Sequence, residues 1–175
     1  MKKNTWRIPL GFLAGVVFIV RADPVWRSFA WGAAVMTLGE FIRFISAGTL
    51  IKFEGVTRKG IYAFVRNPLY LGSLLIGLGA CLIGRDLLFA ALFTTAYPLV
   101  YYRIVRREES HLVRRYGGDY ERYLAEVPRF LPRRFDPVEI IRETAPFLAI
   151  KNREYKTVLG IVSVWLIMLA DILWL

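Results

Sequence analysis

The sequence predicts an all-α, polytopic membrane protein of about five transmembrane helices with cytoplasmic amphipathic helices. Three observations predict it. Of 175 residues, 56% are hydrophobic and 15% aromatic, more than an ordinary soluble domain carries. The apolar residues are clumped: residues 8–20, 69–84 and 87–102 hold no charged side chain, and 158–175 hold only Asp171. The basic residues are divided unequally between the connections, which gives the chain an orientation.

The first run, residues 8–20, is shorter than the ~20 apolar residues that cross a bilayer. Trp6 and Arg21 extend it by reaching toward the headgroups. Lys2, Lys3 and Arg7 precede it, but Arg21-Ala22-Asp23-Pro24 is a poor cleavage site, so the run is read as a span and not as a removable signal. Asp23-Pro24 breaks the chain into a helical hairpin. The second span, 28–51, carries Glu40 and Arg43, three residues apart on one helical face. A charge costs about 2.5–3.5 kcal/mol at a bilayer centre, so the two are expected to pair inside the bundle or to contact substrate. Residues 52–65 form a polar loop, and Arg66-Asn67-Pro68 opens the third span, because proline at the first helical position loses no needed hydrogen bond.

In that span Ser73, Gly77, Ala80 and Gly84 recur at spacings of four, three and four. They make a small-residue face that a second helix or a flat ligand can approach closely. Gly84-Arg85-Asp86 is a short turn. The fourth helix continues past the membrane surface to Gly117-Gly118. Residues 119–126 read as a short amphipathic helix, 127–132 as an extended strap, 136–147 as an interfacial piece, and 158–175 as the last span. Residues 1–175 form one domain: a hairpin (1–51), a motif core (52–135), and an interfacial segment with the last span (136–175).

Lysine and arginine number three in the N-terminal segment, four in residues 52–66 and thirteen in 103–156, against Arg21, Arg27 and Arg85 on the other face. This imbalance places the N-terminus and both motif-bearing connections in the cytoplasm and the C-terminus outside. It also accounts for the net charge of +10 without nucleic acid: the arginines lie along membrane borders, where anionic headgroups meet them, and no basic stretch resembles a recognition helix. A single Cys81 inside an apolar run and a single His111 argue against a disulfide framework and against a metal site.

Glu108 and Glu109 follow Arg103, Arg106 and Arg107 where the fourth helix leaves the membrane. Adjacent helical positions point about 100° apart, so one carboxylate can enter a pocket while the other holds a basic neighbour. In isolation the stretch reads as a solvated charged face. The order of the motifs changes that reading. The run Gly60-Ile61-Tyr62-Ala63-Phe64-Val65-Arg66-Asn67-Pro68-Leu69-Tyr70-Leu71-Gly72 resembles a signature of membrane methyltransferases, the isoprenylcysteine carboxyl methyltransferase and phosphatidylethanolamine N-methyltransferase group. The second half of that pattern is similar too: Arg106-Arg107-Glu108-Glu109, then Tyr116-Gly117, Tyr120, Tyr123 and Val127-Pro128-Arg129-Phe130-Leu131-Pro132. Gly77-Leu78-Gly79 resembles the Gly-x-Gly of the phospholipid branch, and Asn152-Arg153-Glu154-Tyr155 resembles bacterial members.

The resemblance covers residues 35–160. It implies an S-adenosylmethionine-dependent enzyme of a bacterial or archaeal cytoplasmic membrane, acting on a membrane lipid or isoprenoid. Arg66, Asn67, Pro68, Tyr70, Leu71, Gly77, Gly79, Glu108, Glu109 and Tyr120 are expected to hold the cofactor, with Arg106, Glu109 and Asn67 catalytic. Asn67 stands where many relatives have histidine, and an amide is no general base. A carboxylate acceptor, already a nucleophile, is therefore favoured slightly over an amine. The alternatives are a membrane reductase of the sterol-reductase type and a non-catalytic membrane scaffold.

Overall fold

A computed structural model describes residues 7–51 and 55–174, with the side chains of the first helix from residue 13 onward. The headgroup contact expected of Trp6, and the positions of Lys2, Lys3 and Lys52, lie outside the described residues. Among those described the chain is all-helical: α1 (Arg7–Arg21), α2 (Trp26–Thr49), a 3-10 turn (Gly60–Ala63), α3 (Pro68–Gly84), α4 (Leu87–Tyr116), α5 (Gly118–Glu126), α6 (Pro137–Arg142), α7 (Pro146–Lys151) and α8 (Tyr155–Trp174).

The helix ends follow local chemistry. Asp86 caps α4 by accepting from Phe89 N at 3.0 Å, and Asp136 caps α6 through Val138 N and Glu139 N. Such caps satisfy amides that a first turn leaves unpaired. Gly117, at φ 57°, ends α4 in the left-handed region, where a β-carbon is penalised. Pro98 sits inside α4 without breaking it. The loop expected at 52–65 contains the 3-10 turn, and the interfacial piece is two short helices, α6 and α7.

The bundle is organised by α2 against α3. Gly32 faces Gly79 and Gly39 faces Gly72. A β-carbon on Gly32 would stand 2.5 Å from Gly79 O, and one on Gly39 would stand 2.7 Å from Gly72 O. Two glycines seven residues apart on each helix thus let antiparallel backbones touch, the small-residue packing of membrane helices. The face expected at 73, 77, 80 and 84 is divided between partners instead. Gly77 lies under the Phe93 ring of α4, Gly84 meets Phe18 of α1, and Ser73 binds Arg43 of α2. A cluster of Phe18, Met36, Ile83, Ile161 and Met168 fills one half of the bundle, and Ile45, Phe64, Val65 and Ile140 form a second cluster.

At one end the α1–α2 and α3–α4 turns are laced together. Arg21 pairs with Asp86, Arg85 with Asp23 at 3.1 Å, and Asp23 N donates to Gly84 O at 3.0 Å. Of the five expected spans, α4 and α8 are long and apolar enough to cross a bilayer. At 15 and 17 residues α1 and α3 are shorter, and α2 carries Glu40 and Arg43. Large apolar side chains nevertheless face outward: Trp31 is 73% exposed, Leu87 85% and Leu166 63%. An outward apolar surface of this kind needs an apolar solvent or partner.

Candidate functional site

A cavity of about 580 Å³ opens where α2, α3, α4, α5 and the α7–α8 turn converge. Small-molecule sites commonly span about 300–1,000 Å³. One wall is the start of α3, where Arg66, Asn67, Pro68 and Tyr70 line the space. Pro68 occupies the first helical turn, but the Asn67 side chain does not cap α3. Its Nδ2 instead reaches Arg129 O at 3.4 Å, and Arg66 N donates to Pro128 O at 3.0 Å. The 127–132 strap is thereby pinned across the approach to α3. The facing wall is α4, with Glu108, His111, Arg115 and Tyr116, and α5 adds Tyr120 and Tyr123.

The neighbouring carboxylates separate as their 100° offset requires. Glu108 lines the cavity and accepts from the Tyr70 hydroxyl at 2.9 Å. Glu109 is 7% exposed and absent from the cavity lining. It takes a bidentate pair of hydrogen bonds from Arg129, Nε at 3.2 Å and Nη2 at 2.7 Å, and an ion pair from Arg66 Nη1 at 3.2 Å. The hydrogen bond to Glu109 raises the Arg129 pKa further. Burial pushes the Tyr120 phenol up to about 12, with Glu109 adding to it, and burial likewise raises Tyr62 and Tyr123. These phenols stay protonated at neutral pH. Tyr123 uses its proton to reach Tyr62 O at 2.8 Å.

Arg66, Asn67, Pro68, Tyr70, Glu108 and Tyr120 therefore meet at one cavity. Leu71, Gly77, Gly79, Arg106 and Glu109 stand off it. Gly77 and Gly79 serve helix contacts with Phe93 and with Gly32 and Met36. Arg106 lies on the exposed side of α4, its guanidinium 5.8 Å from the Tyr102 ring centre.

Sequence reasoning assigned no pocket role to Asn152 and Glu154, both of which line the cavity, and left Arg43 between ion pairing and substrate contact. Arg43 pairs with Glu154 at 2.6 Å, while Glu40 stands 4.0 Å away. The three-residue spacing to Glu40 pointed to the nearer partner in sequence. The partner that holds Arg43 closely comes from 111 residues away, and the only signal for it was the Asn152–Tyr155 run before the last span.

The sequence profile of the phospholipid methyltransferase family matches residues 25–119, which carry both main walls of this cavity. The chain belongs to that family. Over 134 residues it is 29% identical to protein-S-isoprenylcysteine O-methyltransferase of Schizosaccharomyces pombe, covering 74% of this chain and 56% of that protein. It is 25% identical over 139 residues to the nickel-cobalt-cadmium resistance protein NccN of Alcaligenes xylosoxydans xylosoxydans, covering 73% and 63%. It is 35% identical over 88 residues to methanethiol S-methyltransferase 2 of Bradyrhizobium diazoefficiens, covering 50% and 33%. The chain thus spans less than two thirds of each of these relatives. No solved structure gives a significant match. Within the family-matched stretch, Arg66–Tyr70 and Glu108–Tyr116 supply polar and aromatic side chains to the cavity, together with Arg43, Thr57 and Tyr62.

Proposed function

We propose that the chain is an integral membrane methyltransferase that uses S-adenosylmethionine to methylate a lipid-like or isoprenoid acceptor. Five spans, α1–α4 and α8, carry the cavity at the cytoplasmic face of a cytoplasmic membrane, with the N-terminus inside and the C-terminus outside. One observation carries the reading: the family-matched segments converge on a single cavity that presents a carboxylate, tyrosines and arginines together.

That donor set fits the cofactor. Glu108 can accept hydrogen bonds from hydroxyl groups or attract positive charge. Tyr116 and Tyr120 offer aromatic surface for a heterocycle or a cation. When bound, S-adenosylmethionine supplies a methyl group on a sulfonium for a single in-line displacement, so alignment dominates catalysis. Glu109 acts through Arg66, fixing the guanidinium at the cavity wall. Arg66 and Arg115 give that wall a positive field suited to an acceptor with its own negative charge. Asn67 supplies no base, so a carboxylate acceptor is favoured over an amine. Arg106, on the outward side of α4, is assigned to meeting headgroups.

The test is binding of labelled S-adenosylmethionine to detergent-purified protein, with displacement by S-adenosylhomocysteine. Saturable, displaceable binding is expected, followed by methyl transfer to a prenylcysteine probe in preference to phosphatidylethanolamine. Absence of binding by folded protein overturns the reading.

A further inference from the structure

The α7–α8 turn completes the cavity from outside the residues that the family profile matches. α7 ends at Lys151, Arg153 adopts a left-handed φ of 65°, and α8 begins at Tyr155. That backbone is penalised for a residue with a β-carbon, and strain of this kind clusters at ligand sites. Asn152 and Glu154, on either side of it, both line the cavity. Asn152 Nδ2 donates to Ala47 O at 2.8 Å and Leu50 O at 3.0 Å, which fixes the amide and occupies two carbonyls at the end of α2.

Glu154 is 5% exposed. Its Oε1 accepts from Arg43 Nε at 2.6 Å, and no described residue donates to Oε2. Arg43 is itself held on two further sides, by Ser73 Oγ at 2.5 Å and Thr157 Oγ1 at 3.1 Å. The carboxylate is therefore aimed by side chains of α2, α3 and α8. Both oxygens of Glu40 lack hydrogen-bond partners, but they are sealed in protein and off the cavity wall. Glu154 is different: a nearly buried carboxylate on a cavity with one oxygen uncommitted. That oxygen is not sealed in protein but opens to the cavity, where a cationic group of a ligand can pair with it.

The geometry points to Glu154, positioned by Arg43, as a cofactor-binding carboxylate that receives a positively charged group of S-adenosylmethionine, its ammonium or its sulfonium. This rests on the methyltransferase reading above. The test titrates wild type, Glu154→Gln, and the double variant Arg43→Met/Glu154→Gln with S-adenosylmethionine and with S-adenosylhomocysteine, which keeps the ammonium and lacks the sulfonium. The double variant removes both charges of the pair, so no buried guanidinium is left unpaired, and a thermal melt of each variant reports its folding independently of binding. Both variants are expected to bind S-adenosylmethionine about tenfold or more weakly, the loss that follows removal of a hydrogen bond to a charged group. Equal weakening for both ligands assigns the ammonium; weakening for S-adenosylmethionine alone assigns the sulfonium. A double variant that binds both ligands like the parent overturns the assignment and leaves Glu154 as Arg43's ion-pair partner only. A wild type that binds neither ligand overturns the methyltransferase reading, and this assignment with it.

Discussion

Glu109 reaches Arg66 across 3.2 Å while its neighbour Glu108 reaches Tyr70 across 2.9 Å, so adjacent carboxylates hold two different points at the start of α3. Only Glu108 is on the cavity. Glu108→Gln should weaken cofactor binding by about 1.5–3 kcal/mol and leave thermal unfolding nearly unchanged. Glu109→Gln should do the reverse, since breaking a buried pair by removing one partner costs about 3–5 kcal/mol. Titration and thermal melts in detergent separate the two. Equal behaviour of the variants would refute the division of labour.

The α2–α3 seam predicts which glycines resist enlargement. A β-carbon on Gly79 would lie 2.6 Å from Gly32 O and 2.5 Å from Met36 Cγ, whereas Gly160 has nothing within 4 Å. Backbone cannot yield as a side-chain tip can, so Gly79→Ala and Gly39→Ala should each destabilise by about 1–3 kcal/mol. Gly160→Ala, in α8, should be neutral or stabilise by roughly 0.5–1 kcal/mol through lower chain entropy. A well-tolerated Gly79→Ala would show that the two helices do not pack this closely.

Helices and breaks were legible because their signals are local. Pro68 begins α3, Asp86 caps α4, and Gly117 stops α4 after its run past the apolar stretch. The separation of Glu108 from Glu109 also followed from helix geometry alone. Register between helices was not legible. Both Gly72 and Gly77 are small, and nothing in α3 says that Gly72 faces α2 while Gly77 faces Phe93 of α4. The same limit hid the partner of Arg43: Glu40 lies one turn away, whereas Glu154 arrives only when α8 packs beside α2. Long-range ion pairs depend on that packing, which no short window of sequence encodes.

Tyr120 gives the fold an alkaline limit. Burial, then Glu109, raises its pKa from 10.0 to about 12, so the folded state keeps a proton that the unfolded state releases. Its contribution to stability should be constant below about pH 10. It should then fall as pH rises from about 10 to 12, where only the unfolded phenol ionises. Tyr62 and Tyr123 shift in the same direction and steepen the fall. Tyr120→Phe should remove part of this loss while changing the melting temperature little at pH 7. Tyr123→Phe is a poorer probe, because it also deletes the hydrogen bond to Tyr62 O. An alkaline melting profile identical in Tyr120→Phe and the parent would contradict the assignment.

The final prediction concerns which end faces the cytoplasm. The α1–α2 and α3–α4 turns share one end, joined by Arg21–Asp86 and Arg85–Asp23. α8 leaves the cavity at Tyr155 and extends 20 residues, about 30 Å at 1.5 Å per residue, enough to cross the hydrocarbon core. A reporter fused after Leu175 should therefore lie outside, with both turns. In a Cys81→Ser background, Val25→Cys should label from outside only and Gly118→Cys from inside only. The ion pairs at the turns join groups at one end of the bundle and do not distinguish the two sides of a membrane, so Asp86→Asn should leave the labelling pattern intact. The orientation is predicted from the excess of lysine and arginine on the cavity-side connections. A C-terminal reporter found in the cytoplasm would remove one span and put α8 on the same side as the cavity.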